Sequence, residues 1–230
     1  MMKSALALLL FAVGYAQEAS AGGTTATVTG GARLEYKVGH LGTPSSSVPF
    51  EMTVTVPWTP ETVGQLKKLG FNTIQVNVAW GPRPNDEPLN IEDIVQLTAE
   101  QEKLSPQVVP LRSRPGPEAR EKRRTELRHR IELCKQAGLR TIFHFGAPFN
   151  AHATYGDGPP NCISDDAMVR RYEMLIETFA KEFPGVDDLL VYTYDQDAWL
   201  CSEFGPCPRC LGVPLHDRVA AFLNRLKKAW

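Results

Sequence analysis

The chain has 230 residues, 43% hydrophobic and 22% charged, an ordinary balance for one globular domain or a small pair. Its formal net charge of −1 offers no long-range field for nucleic acid or an anionic membrane surface, so neither is expected as a partner. Small neutral ligands, sugars among them, stay open.

Lys3 precedes an apolar run from Ala5 to Val13, followed by small Gly14 and Ala16, with Ala19 and Ala21 as a second cleavage point. The run is shorter than the ~20 residues of a membrane span. Residues 1–16 are therefore expected to be a signal peptide, and the mature protein to be secreted or periplasmic with no membrane attachment after cleavage. A short buried N-terminal helix is the competing reading. Residues 17–49, rich in Gly, Thr, Ser and Ala, read as a flexible leader with one short strand near 33–38.

Order is expected from residue 50. A first strand at 50–56 leads to a helix with Thr59 as N-cap and Pro60 at its first position, its apolar face carrying Val63, Leu66 and Leu69. Three segments then repeat one pattern, a helix end, a glycine and an apolar strand: KKLGFNTIQVNVAW (67–80), KQAGLRTIFHFGAP (135–148) and EFPGVDDLLVYTYDQD (182–197). Gly70, Gly138 and Gly185 stand where a helix end favours a left-handed residue. The strands are expected at 73–80, 140–147 and 188–195, with Asp187 and Asp188 as loop residues. Residues 81–117 form a Pro-rich insertion with a helix at 91–102. The next helix presents Leu127, Ile131 and Cys134 on one face. Ser164 is expected to cap the third helix, with its stripe at Met168, Tyr172, Leu175, Ile176 and Phe179. Leu215, Val219, Phe222, Leu223 and Leu226 make the stripe of the last.

Strand–helix alternation predicts an α/β fold with parallel strands and helices packed outside. The specific expectation is a partial TIM-type (β/α) barrel: four strand–helix units over 50–230, the N-terminal half of a barrel that needs eight. Truncation, completion by partner segments and an open sheet are the three ways such a chain can end.

In such folds the chemistry gathers at the carboxyl ends of the strands. Those ends supply Trp58, Asn77, Trp80, His144, Asn150, His152, Tyr194, Asp195, Asp197 and Trp199. Aromatic faces and amide or imidazole groups suit sugar rings and their hydroxyls. Packing beneath loops accounts equally well for any one tryptophan. No Gly-rich phosphate loop follows the first strand.

KKLGFNTIQVNVAW resembles the first units of (β/α)-barrel glycosidases, and VYTYDQDAW resembles the acidic end of strand four in retaining glycoside hydrolases of the family 20 hexosaminidase-like kind. The resemblance covers roughly residues 50–200. It implies hydrolysis of glycosidic bonds in an extracellular or periplasmic carbohydrate, without a catalytic cofactor. Those enzymes end strand four in adjacent Asp and Glu, whereas this chain has Asp195-Gln196-Asp197.

On an extended strand Asp195 and Asp197 point to one side, about 6.5 Å apart. Two such carboxylates cannot ionise equally, so one is raised and can act as an acid. Asp197 is the expected acid, Asp195 the orienting group and Glu203 the reserve acid; a turn cap at Asp195 and a solvated Asp197 are the bland alternative. The expected carbohydrate contacts are Trp58, Asn77, Trp80, His144, Asn150, Tyr194 and Trp199.

There are five cysteines. CSEFGPCPRC places Cys201, Cys207 and Cys210 together, and Cys162 lies in the loop after the preceding strand. The Cys-Pro-Arg-Cys spacing suits a structural zinc with Cys162 as fourth ligand, while export favours two disulfides among the same residues. Both readings stay open. Cys134, on the apolar face of its helix, is expected to be an inert thiol. Two other functions compete with hydrolysis: a non-catalytic carbohydrate-binding or structural barrel module, which includes an inactive fragment, and a metal-dependent hydrolase using His144, His152 and Asp195.

Overall fold

The computed structural model describes residues 38–40, 57–77, 91–104, 116–147, 162–192 and 201–230. In chain order these form β1 (Val38–His40), α1 (Pro60–Lys68), β2 (Thr73–Gln75), α2 (Ile91–Ile94), α3 (Ala99–Leu104), α4 (Pro117–Gln136), β3 (Arg140–Gly146), α5 (Asp166–Glu182), β4 (Asp188–Tyr192) and α6 (Leu215–Ala229). The strands form one parallel sheet in the order β1-β2-β3-β4. Side chains are described for β2, β3 and β4, apart from that of Tyr192.

The architecture corrects the barrel expectation. Among the described residues the sheet is open, with β1 and β4 at its edges and no pairing that closes it. Four strands are too few to curl a sheet into a barrel. The four-unit reading is not supported either, because the strand that pairs with β2 is β1 at Val38–His40 and not the one expected to open the first unit. β1 lies in the stretch read as a leader and pairs directly with β2 through Val38 and Thr73. The strand expected at 50–56 falls outside the described residues.

One face of the sheet makes the core. Residues two apart on a strand share a face, and Ile74 and Val76, Phe143 and Phe145, and Leu189 and Val191 all join the same apolar cluster. The α5 stripe lies against them, with the Phe143 and Phe179 rings 4.7 Å apart and Phe145 stacked on Tyr172 at 6.4 Å. Every residue of that stripe is buried, as are Leu127, Ile131 and Cys134 of α4. Two other stripes read less well. Leu69 is exposed because α1 ends one residue earlier, and Leu215 is exposed in the first turn of α6.

Local signals decide the helix ends. Thr59 caps α1 in a reciprocal box with Thr62. Asp165 caps α5, accepting from the Ala167 and Met168 amides, so the expected cap at Ser164 is one residue early. The single helix expected at 91–102 is two helices. Thr98 accepts from the Gln101 amide and Gln101 reaches back to the Thr98 amide, a second capping box that starts α3 anew.

Gly70 and Gly138 do adopt left-handed backbone, at φ 90° and 65°. Gly185 does not belong with them; its constraint is space. A Cβ there would lie 2.7 Å from Ile131 Cγ2 and 2.5 Å from Lys135 Nζ, both on α4. The lysine can swing away, but Ile131 is held in the core. Gly185→Ala is therefore expected to destabilise the fold by about 1–3 kcal/mol, the usual range for overpacking. A urea-unfolding midpoint equal to that of the unmodified protein would contradict this.

Candidate metal centre

Two segments build the centre. Cys162 stands just before α5, and the loop from Cys201 to Val213 carries Cys201, Cys207 and Cys210. The ligand sulfurs of all four lie within 4.8 Å of one another, the Cys162 and Cys210 sulfurs at 3.3 Å. Three of the four residues are buried and Cys201 is half-buried. This cluster can hold a metal ion.

The backbone explains the convergence. The Cys210 and Leu211 amides both donate to the Cys207 carbonyl, and the Val213 amide donates to that of Cys210. The turn folds Cys-Pro-Arg-Cys into a tight knuckle that turns both sulfurs inward. Gly212, at φ 73°, carries the chain out of the knuckle in a left-handed conformation, and its amide donates to the Glu203 carbonyl. On the other side, the Ser164 amide donates to Cys162 Sγ at 3.4 Å, and Cys210 Sγ lies 3.6 Å from Ser164 Oγ. Arg209, inside the knuckle, forms an ion pair at 2.8 Å with Asp165, the α5 cap. Both halves of the cluster are thus tied to the start of one helix.

The protons are unevenly shared. Burial pushes the Cys162 thiol up to about 12, against the Ser164 amide, which favours the thiolate. Burial, then hydrogen bonds to Cys210 and Cys207, raise Cys201 as well. At Cys210 burial also disfavours the anion, but hydrogen bonds from Cys162, Ser164, Cys201 and Cys207 outweigh it and hold this thiol below its ordinary value.

Of the other expected site residues, Glu203 lies in the same loop. Its carboxylate accepts from the Leu215 amide at 3.2 Å, at the start of α6, where Pro214 provides no side-chain cap. Trp58 packs against the core with the Arg130 guanidinium 4.7 Å over its ring, so that face is covered. Asn77 is 1% exposed. Its amide nitrogen donates to the His144 carbonyl at 2.6 Å, and its oxygen accepts from the His144 amide at 2.8 Å. Asn77 thus extends β2 by imitating a backbone partner and fixes His144, whose Nδ1 lies 3.4 Å from Gln75 Nε2. Asp195, Asp197, Trp80, Asn150, His152, Tyr194 and Trp199 lie outside the described residues.

Sequence reasoning found the four cysteines but missed their supports, Ser164, Asp165 and Arg209. The acidic Asp165 three residues after Cys162 was the available signal. Cys134 is apart from the cluster and fully buried, and burial pushes its thiol up to about 12. An alkylating reagent at pH 8 is expected to leave Cys134 unlabelled until the protein is unfolded; mass spectrometry of the native protein showing a labelled Cys134 would contradict this.

No family model matches the sequence, and no curated protein matches it.

Proposed function

We propose that the protein binds one structural Zn²⁺ through Cys162, Cys201, Cys207 and Cys210, and that this centre braces an extracellular carbohydrate-hydrolysing protein. The convergence of four sulfurs on one point supports the first part. A tetrahedral zinc thiolate site has Zn–S near 2.3 Å, which sets the sulfurs about 3.8 Å apart. The cluster reaches that arrangement with shifts of about an ångström. Two disulfides would instead group the sulfurs as two bonded pairs. A four-thiolate site leaves no open position for water or substrate, so its role is structural. Zinc analysis on protein purified without reductant, with thiol counting before and after chelation, tests this. One zinc per chain and thiols released by the chelator are expected; a zinc-free protein with four oxidised cysteines would end the reading.

The hydrolytic part rests on where the candidate carboxylates fall in the chain. Residues 193–200, which contain Asp195 and Asp197, lie in the sequence between the end of β4 at Tyr192 and the next metal-site residue, Cys201. The two carboxylates stand two residues apart in the sequence, and a pair of carboxylates is what acid-assisted cleavage of a glycosidic bond requires. In this reading Asp197 protonates the leaving oxygen and Asp195 orients the sugar. Asp197→Asn is expected to lower aryl-glycoside turnover by at least about 100-fold, the ordinary contribution of a general acid to a demanding leaving group. Equal turnover by the variant refutes the assignment, and calorimetric sugar binding without turnover in either protein favours a non-catalytic sugar-binding module.

A further inference from the structure

Arg218 stands in the first turn of α6 and is 5% exposed. Its Nη2 donates to the Cys201 carbonyl at 2.6 Å and its Nε to the Val213 carbonyl at 3.0 Å. Cys201 and Val213 are the two ends of the loop that supplies three of the four thiols. One guanidinium therefore closes that loop like a clasp. Arg suits this task, since its planar fork presents several donors in fixed directions. The same loop presents Phe204 and Leu211 to solvent, 87% and 62% exposed, so little apolar burial holds these parts of it in place.

The charge of Arg218 raises a second point. Among the described residues it forms no ion pair, and its Nη1 is buried without a hydrogen-bond partner. A buried cation without a counter-charge is costly. Arg209 and Arg225 line the same roughly 430 Å³ cavity and hold Asp165, Asp166 and Glu173, while Asp217, the one other carboxylate lining it among the described residues, is 63% exposed and lies 3.4 Å from His216. A negative charge forms next to the loop end that Arg218 holds once the thiols bind metal. Four thiolates around one Zn²⁺ carry a net charge of about −2.

We propose that Arg218 is the positioning residue of the thiolate centre, closing the 201–213 loop through both its end carbonyls and balancing the charge of the metal-loaded cluster. This inference rests on the zinc reading above. It makes loop closure and metal binding reciprocal: the arginine preassembles three ligands, and the loaded centre supplies an anion near a buried arginine that forms no ion pair among the described residues.

The test is zinc competition against a chromophoric chelator, using the full chain, Arg218→Lys and Arg218→Met. Loss of an outer-shell partner costs metal sites about 10–100-fold in affinity, and Arg218→Met is expected to lose zinc affinity within that range. Arg218→Lys keeps the charge but cannot reach both carbonyls, so a smaller loss is expected, with faster zinc release than in the unmodified protein. The urea midpoint should fall more in the zinc-loaded variants than in the zinc-free ones, a difference that a merely structural arginine would not produce. Unchanged affinity in a folded variant, or equal destabilisation with and without zinc, would overturn the proposal. Should Arg218→Met not fold, the lysine variant decides by the same criteria. An unmodified protein that binds no zinc in this assay overturns the zinc reading, and this inference with it; zinc binding that is insensitive to residue 218 overturns the inference alone.

Discussion

Replacing Cys210 with serine is expected to abolish stoichiometric zinc binding and to remove at least about 4 kcal/mol of the stability measured with free zinc a thousandfold above Kd. The figure is the linkage gain that a ligand bound only by the folded state provides, and the variant forfeits it. Cys210 is the choice because it is fully buried and touches Cys162, Ser164, Cys201 and Cys207. Serine keeps the size but is a poor zinc ligand. Without zinc, the two proteins should differ by no more than about 1–3 kcal/mol, the cost of burying a hydroxyl with imperfect partners. Two urea titrations, with zinc and with chelator, separate these contributions. The large gap should appear only with zinc present. Its size should shrink as pH falls, since each thiol must lose its proton to bind metal and burial holds Cys162 near about 12 before binding. Backbone amide exchange should then rise first between 201 and 213 and at the start of α6. A Cys210→Ser protein that still carries one zinc would show that the centre is not the four-thiolate site proposed here.

Such an effect would be disproportionate to the area involved. The core lies between the sheet and α4 and α5, whereas the cysteine loop forms its own small buried cluster of Cys162, Cys207 and Cys210, with Cys201 against it. Three sulfur side chains bury too little apolar surface to fix a thirteen-residue loop against its conformational entropy, at roughly 1–2 kcal/mol per ordered backbone residue. Hydrogen bonds within the loop and the ion pair from Arg209 to Asp165 offset part of that cost. The metal proposed for the four cysteines would contribute its binding free energy to what is left.

The sequence made local features legible and long-range ones illegible. The Thr59 cap, the left-handed Gly70 and Gly138, the α5 stripe and the Cys207–Cys210 knuckle all depend on spacings of a few residues, whereas the place of Cys162 beside them rests on the expected adjacency of two loops. The expectation of half a barrel extrapolated from alternation to a curled sheet, and alternation does not fix how a sheet curves. A short strand is expected near 33–38, but its place at Val38–His40 beside β2 was illegible, because three residues show no periodicity and their partner Thr73 lies far along the chain. The clasp at Arg218 was illegible for the same reason: an arginine in a first helical turn looks like solvated surface until its carbonyl partners are known. Gly185 carried an ambiguous signal. A glycine after a helix suits a left-handed turn or a close approach equally, and only the position of Ile131 on α4 decides between them.

The acidic pair at 187–188 shows how far a loop reading can miss. Asp188 opens β4 and is completely buried, and both its oxygens accept from Nη2 of Arg140, the first residue of β3, at 2.9 and 2.7 Å. Asp187 meanwhile accepts from the Thr141 amide and hydroxyl at 2.8 and 3.2 Å. The two aspartates lock the register at the starts of the neighbouring strands β3 and β4. The ion pair is asymmetric, since the Arg140 side chain is 38% exposed and the Asp188 side chain is not exposed at all. Removing the cation leaves a buried carboxylate without the guanidinium that faces it, whereas removing the anion leaves a guanidinium that can turn to water. Arg140→Met is therefore expected to cost about 3–5 kcal/mol, the range for breaking a buried pair from its exposed side. Asp188→Asn should cost clearly less. The double variant should be more stable than the sum of the single losses implies, because an amide and a thioether leave no charge behind. Urea unfolding of the four proteins measures the cycle. Equal single costs that simply add would mean that the pair contributes nothing to holding β3 against β4.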